Sequence, residues 1–129
     1  MRSSRTLLVV EDDIEVRLAT TRLLEAYGHA VVAVGSAEAA LACLGEPGFS
    51  LALVLADYDL GQGLNGVELI GKVRERLGRK VAGVVITGHR RPDVEHGFDG
   101  LVLSKPVEAG TLAALVARLV EGAATADSR

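Results

Sequence analysis

Four small groups of reactive side chains stand directly behind apolar runs. Glu11-Asp12-Asp13 follows "TLLVV", Asp57-Tyr58-Asp59 follows "LALVLA", Thr87-Gly88 follows "VAGVVI", and Ser104-Lys105-Pro106 follows "LVL". Carboxylates brought together repel one another and raise each other's pKa. A hard divalent cation such as magnesium relieves that repulsion, because it takes one or two carboxylates, keeps waters and accepts phosphate oxygens. A carboxylate is itself a competent acceptor and forms an acyl phosphate. A nearby lysine would neutralise a transferred phosphoryl group, and a hydroxyl would hydrogen-bond it. Each group also has a plain structural role. The three acids at 11–13 can favour the start of a helix through its dipole, Asp57 can be a loop acid, Thr87 can cap or turn, and Lys105 can be solvated. The pattern argues for chemistry only if the fold brings the four groups together.

The elements that would do so are legible. The runs at 6–10, 30–34, 51–56, 81–86 and 101–103 are apolar on both faces, as buried parallel strands are. Helix-length segments lie between them. Ile14 to Tyr27 carries Ile14, Leu18 and Leu24 and meets Gly28 as a stop. Ser36 can cap 37–44 and Asn65 can cap 67–77 before Gly78. Leu112, Leu115, Val116 and Leu119 follow helical spacing. Between Thr87 and Leu101, Pro92 and several glycines leave room for one helical turn near Pro92 to His96. Right-handed β-α-β crossovers then predict an α/β fold, a doubly wound, five-stranded parallel sheet with helices on both faces. Ligands of such sheets bind beyond the carboxyl ends of the strands, where the four groups fall.

Composition narrows the classes. A chain of 129 residues suits one domain, with a core at about 6–121 and a small, polar tail at 122–129 expected to fray. A net charge of -3 disfavours a nucleic-acid binder, and two Tyr, two Phe and no Trp disfavour a base-stacking platform. No stretch approaches the ~18 apolar residues of a membrane span. The first apolar run ends in acids, unlike a signal peptide. The lone Cys43 reads as a core residue of a reducing, cytoplasmic setting.

From about Leu7 to Val120 the sequence resembles the CheY-like receiver domains of two-component response regulators. "LLVVEDD", "LVLADYDLGQGLNGVEL", "VVITG" and "LSKPV" occur in that family's order and near its spacings. The resemblance implies a flavodoxin-like strand order 2-1-3-4-5. It implies that Asp57 is the phosphoacceptor, and that Asp12 directly and Glu11 through water hold magnesium (or manganese) together with Asp57. The backbone carbonyl of Asp59 would complete the metal shell. Thr87 would be the hydroxyl that moves to the phosphoryl group, Lys105 its partner, and Pro106 would follow a cis bond. Asp13 is better read as helix-start charge. The implied partner is the histidine of a sensor kinase or a histidine phosphotransfer protein.

Two departures stand out. The family places an aromatic switch three residues before the lysine, where this chain has Val102, a side chain with no large ring to move. Lys105 follows Thr87 by 18 residues (105 less 87), about one helical turn short of the family's span, so the fourth helix is expected to be short or irregular. Such a region is common in receivers attached to hybrid histidine kinases. In that family, side chains two residues beyond the acceptor and the hydroxyl tune the lifetime of the phosphoryl group, and the resemblance implies such a role for Asp59 and His89. Arg90 and Arg91 read as a solvated basic loop. Two other functions fit part of the pattern. A pseudo-receiver would bind partners without phosphorylation. A haloacid-dehalogenase-type phosphatase would use Asp57 and Asp59 as its paired acids, but that motif belongs on the first strand and here follows the third.

Overall fold

The computed structural model describes residues 5–127, with the backbone alone at 93 and 123–127. The chain alternates β1 (Thr6–Val10), α1 (Ile14–Ala26), β2 (Ala30–Val34), α2 (Ala37–Cys43), β3 (Leu51–Asp57), α3 (Gly66–Leu77), β4 (Ala82–Thr87), α4 (Pro92–Gly97), β5 (Leu101–Ser104) and α5 (Ala109–Asp127). The five strands form one parallel sheet in the order β2-β1-β3-β4-β5. The predicted doubly wound architecture is therefore the observed one.

Strand pleating explains why the runs are apolar throughout. Successive side chains point to opposite faces, and both faces are covered. Leu8, Val10, Val54, Ala56 and Val85 share one core with Ala40 of α2 and Leu69, Ile70 and Val73 of α3. Leu7, Val9, Leu53, Leu55 and Val84 share the other with Leu24 of α1 and Leu112 and Val116 of α5. All seven residues of β3 are buried. Each fully buried Leu or Val contributes roughly 1.5–3 kcal/mol, so the central strand is a rigid base for the residue at its end.

The helices begin where their caps allow. Asp13 accepts from the N–H groups of Glu15 and Val16, which confirms it as the start of α1. Ser36 caps α2 through the N–H of Ala39. Asn65 and Glu68 form a reciprocal capping box at α3, and Gly78 closes that helix at φ 68°. One helix face differs from expectation. Of the apolar residues of α1 only Leu24 is buried, while Ile14 is 59% and Leu18 47% exposed.

The region before β5 is short, as its glycines and proline predict. α4 has six residues, opens on Pro92 and has no side-chain cap. Phe98 fills the space beside it. A Cβ on Gly100 would stand 2.6 Å from the Phe98 ring and 2.7 Å from the Gly83 carbonyl oxygen, and a Cβ on Gly83 would stand 3.2 Å from the same ring. The ring thus lies against two glycines, and Arg74 covers it at 5.5 Å. The last helix is longer than its composition suggested. Backbone helix continues through Asp127 across the expected tail, where three alanines favour it. Residues 128 and 129 lie outside the described residues.

Candidate functional site at the carboxyl edge of the sheet

Backbone pairing delivers the four groups to one edge. β3 extends one residue past its apolar run, so Asp57 pairs with Ile86, and the Tyr58 N–H donates to the Ile86 carbonyl at 2.8 Å. β4 likewise ends on Thr87, which pairs with Ser104, and the Lys105 N–H donates to the Thr87 carbonyl at 2.8 Å. The Glu11 N–H is held by the Val34 carbonyl at 3.0 Å. Glu11, Asp57 and Thr87 are the buried polar side chains among the described residues, and all three lie at this edge.

The acids converge. Glu11, Asp12 and Asp57 each offer a carboxylate oxygen, and these oxygens lie within 4.8 Å of one another. Lys105 Nζ stands 3.2 Å from Asp57 Oδ2. Asp57 Oδ1 is buried and has no hydrogen-bond partner. Such an oxygen is costly unless something pairs with it. A divalent cation beside three carboxylates would do so, and the donor set is all oxygen, as magnesium or manganese requires. The residues present therefore fit such an ion. An open cleft of about 560 Å³ leads to them, lined by Asp59, Gly61, Gly88 and His89 as well as the acids and Lys105.

Burial and charge together set the titration of the site. Burial first, then the Asp57 charge and a hydrogen bond with Asp12, push the Glu11 carboxyl up to about 7, against the pull of the Asp13 N–H and Lys105. Burial works against the Lys105 ammonium, but the hydrogen bond and charge of Asp57, with Glu11 and Asp12, outweigh it and hold its pKa above the usual lysine value. The Glu11 shift has a sign for stability. Between pH 4.5 and about 7 the folded chain keeps a proton that the unfolded chain has released. That contribution is fully present below 4.5 and lost as pH rises through about 7. In chelator, thermal midpoints are expected to fall between pH 5 and pH 8, to fall less in Glu11→Gln, and to flatten when magnesium is added. Differential scanning fluorimetry across that range checks it.

The other residues singled out from the sequence are placed as follows. Asp59 lines the cleft, but its side chain is exposed and lies 4.0 Å from Arg91. His89 also lines the cleft, and its backbone, not its ring, engages Thr87. Val102 sits within β5, paired with Val85. The Lys105–Pro106 peptide is cis. Arg90 faces outward beside Glu95 at 3.5 Å. Arg91 does not belong to a solvated loop. It is half-buried, lies 4.1 Å from the Tyr58 ring centroid and donates to the Thr87 hydroxyl at 3.3 Å. Arg17 was also missed. It reaches from α1 to the Glu11 carbonyl at 2.8 Å, through space that a Cβ on Gly35 would occupy. The one signal for the Arg91 contact was an aromatic residue directly after Asp57 and an arginine four residues after Thr87.

No helix among the described residues is long and apolar enough to cross a membrane. Comparison with known proteins agrees with the geometry. Residues 7–117 match the family model for the response regulator receiver domain. The chain is 40% identical over 116 residues to the response regulator protein FleR of Pseudomonas aeruginosa, covering 87% of this chain and 24% of that protein. It thus spans about a quarter of that relative. A response regulator receiver protein from Sinorhizobium medicae superposes with a TM-score of 0.82 at 25% identity, covering 94% of this chain and 98% of the other. A CheY-like receiver domain from Methanospirillum hungatei does so with a TM-score of 0.81 at 23% identity, covering 95% and 98%. This chain belongs to the receiver domains of response regulators, the signalling modules of two-component systems.

Proposed function

We propose that residues of about 6–121 act as one receiver that accepts a phosphoryl group on Asp57 from a histidine of a sensor kinase or phosphotransfer protein, in the cytoplasm. The observation that carries this reading is Asp57 itself. It is buried at the end of a fully buried strand, bonded to Lys105 at 3.2 Å, and gathered with Glu11 and Asp12. In the reaction one Asp57 oxygen attacks phosphorus in line, the P–N bond to the donor imidazole breaks, and an acyl phosphate forms. Lys105 offsets the negative charge that gathers on the phosphoryl oxygens. Glu11 and Asp12, with Asp57 and the Asp59 carbonyl, would hold magnesium or manganese. That ion would add positive charge at the transferring group. Thr87 ends the neighbouring strand and carries the hydroxyl that would bond the product. Asp59 and His89 flank the cleft, where they would govern the access of hydrolytic water.

The test is intact mass after incubation with magnesium and a small acyl phosphate. One added phosphoryl group is expected, and it is lost in chelator and in Asp57→Asn. No addition, either there or with a phosphorylated kinase, would instead favour a pseudo-receiver that acts without phosphorylation. Steady turnover of phosphomonoesters would favour a phosphatase.

A further inference from the structure

The Thr87 hydroxyl is fully committed. It is completely buried, donates its one proton to the His89 carbonyl at 2.9 Å, and accepts from the His89 N–H and from Arg91 Nε at 3.3 Å each. A hydroxyl has one donor and two acceptor sites. To donate to a phosphoryl oxygen on Asp57 it must leave the His89 carbonyl, and turning its proton disturbs the bond from Arg91. Arg91 is itself anchored, because its guanidinium rests 4.1 Å from the Tyr58 ring centroid, a cation–π distance. That ring is fixed in turn. Its hydroxyl accepts from Asn65 Nδ2 at 3.2 Å, and its backbone N–H is held by Ile86. The platform therefore grows from the loop that follows Asp57, while the arginine grows from the loop that follows Thr87. On β5, Val102 offers no ring to take part.

We propose that Arg91, seated on Tyr58, is a latch that positions Thr87 in the resting state, and that phosphorylation of Asp57 works against this latch instead of an aromatic side chain on β5. The proposal rests on the reading of Asp57 as phosphoacceptor. A ligand that needs Thr87 released binds more weakly by the reciprocal of the unlatched fraction.

Beryllofluoride, which adds to carboxylates as a phosphoryl mimic, supplies the test, its binding in magnesium followed by fluorine NMR. Arg91→Ala is expected to tighten its affinity roughly tenfold, the lower end of the scale for the one hydrogen bond from a charged donor that Thr87 gives up. Tyr58→Leu keeps the arginine's charge but removes its platform, and is expected to tighten the affinity as well. Tyr58→Phe keeps the ring and loses only the bond from Asn65, so it is expected to tighten the affinity less than Tyr58→Leu. Arg90→Ala, which touches Glu95 and not Thr87, brings no tightening. The sign is diagnostic, because loss of a cation beside an anionic ligand weakens binding, whereas release of a latch strengthens it. Arg91→Ala binding no tighter than wild type, or still tightening in a Thr87→Val background, overturns the latch. If wild type binds magnesium yet takes up no beryllofluoride, the Asp57 reading fails and the latch with it. If wild type takes it up and Arg91→Ala changes nothing, the latch alone fails.

Discussion

Gly66→Ala is expected to destabilise the protein by about 3 kcal/mol or more, the scale of overpacking against a part that cannot move aside. A Cβ at Gly66 would stand 2.5 Å from the Asp57 carbonyl oxygen, 3.1 Å from its carbonyl carbon and 3.3 Å from the Tyr58 Cα. All three atoms are backbone, and the strand that ends on Asp57 is buried along its whole length. The helix must therefore shift or the Asp57 peptide must move. Either change disturbs the Gly66 N–H bond to the Tyr58 carbonyl, 2.9 Å long, that ties α3 to the site. The same substitution one turn and a little further along gives the opposite sign. Gly71 lies inside α3, is exposed and has no atom within 4 Å of its ideal Cβ. Gly71→Ala is expected to stabilise by roughly 0.5–1 kcal/mol from helix propensity alone. Urea unfolding of the two variants beside wild type checks both. Equal effects would mean that the close approach of α3 to Asp57 is not real.

Lys105→Ala is expected to move two properties of the site in opposite directions. Lys105 is the cation bonded to Asp57, 3.2 Å away, and it faces three clustered carboxylates. Without it those acids lose their internal counter-charge and bind a divalent cation more tightly, by severalfold. The phosphoryl group loses the ammonium that offsets its charge, and labelling of Asp57 is expected to slow by about 10²-fold, the cost of removing one preorganised donor. Lys105→Arg keeps a charge with a different shape and recovers part of the rate. Calorimetric titration with magnesium and time courses of labelling measure the two quantities. A parallel fall in both would show that the lysine is needed to keep the site folded and has no separate charge role.

How far these residues were legible depends on what each one rests on. The strands could be read because both faces of the sheet are covered, which turns each strand into an unbroken apolar run. The strand ends were read one residue short at Asp57, Thr87 and Ser104. Hydrophobicity reports side chains, whereas the parallel ladder is made by backbone and continues under polar residues. The brevity of α4 followed from Pro92 and the glycines around it. The failure of Ile14 and Leu18 to reach the core did not, because helical spacing identifies an apolar stripe but not what covers it. Glu11, Asp12, Asp57, Thr87 and Lys105 were visible because each ends a strand or lies within two residues of its end. Arg91 and Arg17 were hidden because long, flexible side chains find their partners only in three dimensions. One partner is a ring on another loop and the other a carbonyl in the loop after β1.

Asp57 is the acceptor only if the phosphoryl group is carried there and nowhere else. The protein would be incubated with magnesium and a small acyl phosphate, or with phosphorylated kinase, and reduced with borohydride, which converts an aspartyl phosphate to homoserine. Tandem mass spectrometry then reads the modified position. Homoserine at position 57, dependent on magnesium and unchanged in location in Thr87→Val, is the predicted result. Modification at Asp12 or Asp59 instead, or none from either donor, would contradict the assignment of Asp57 as the acceptor.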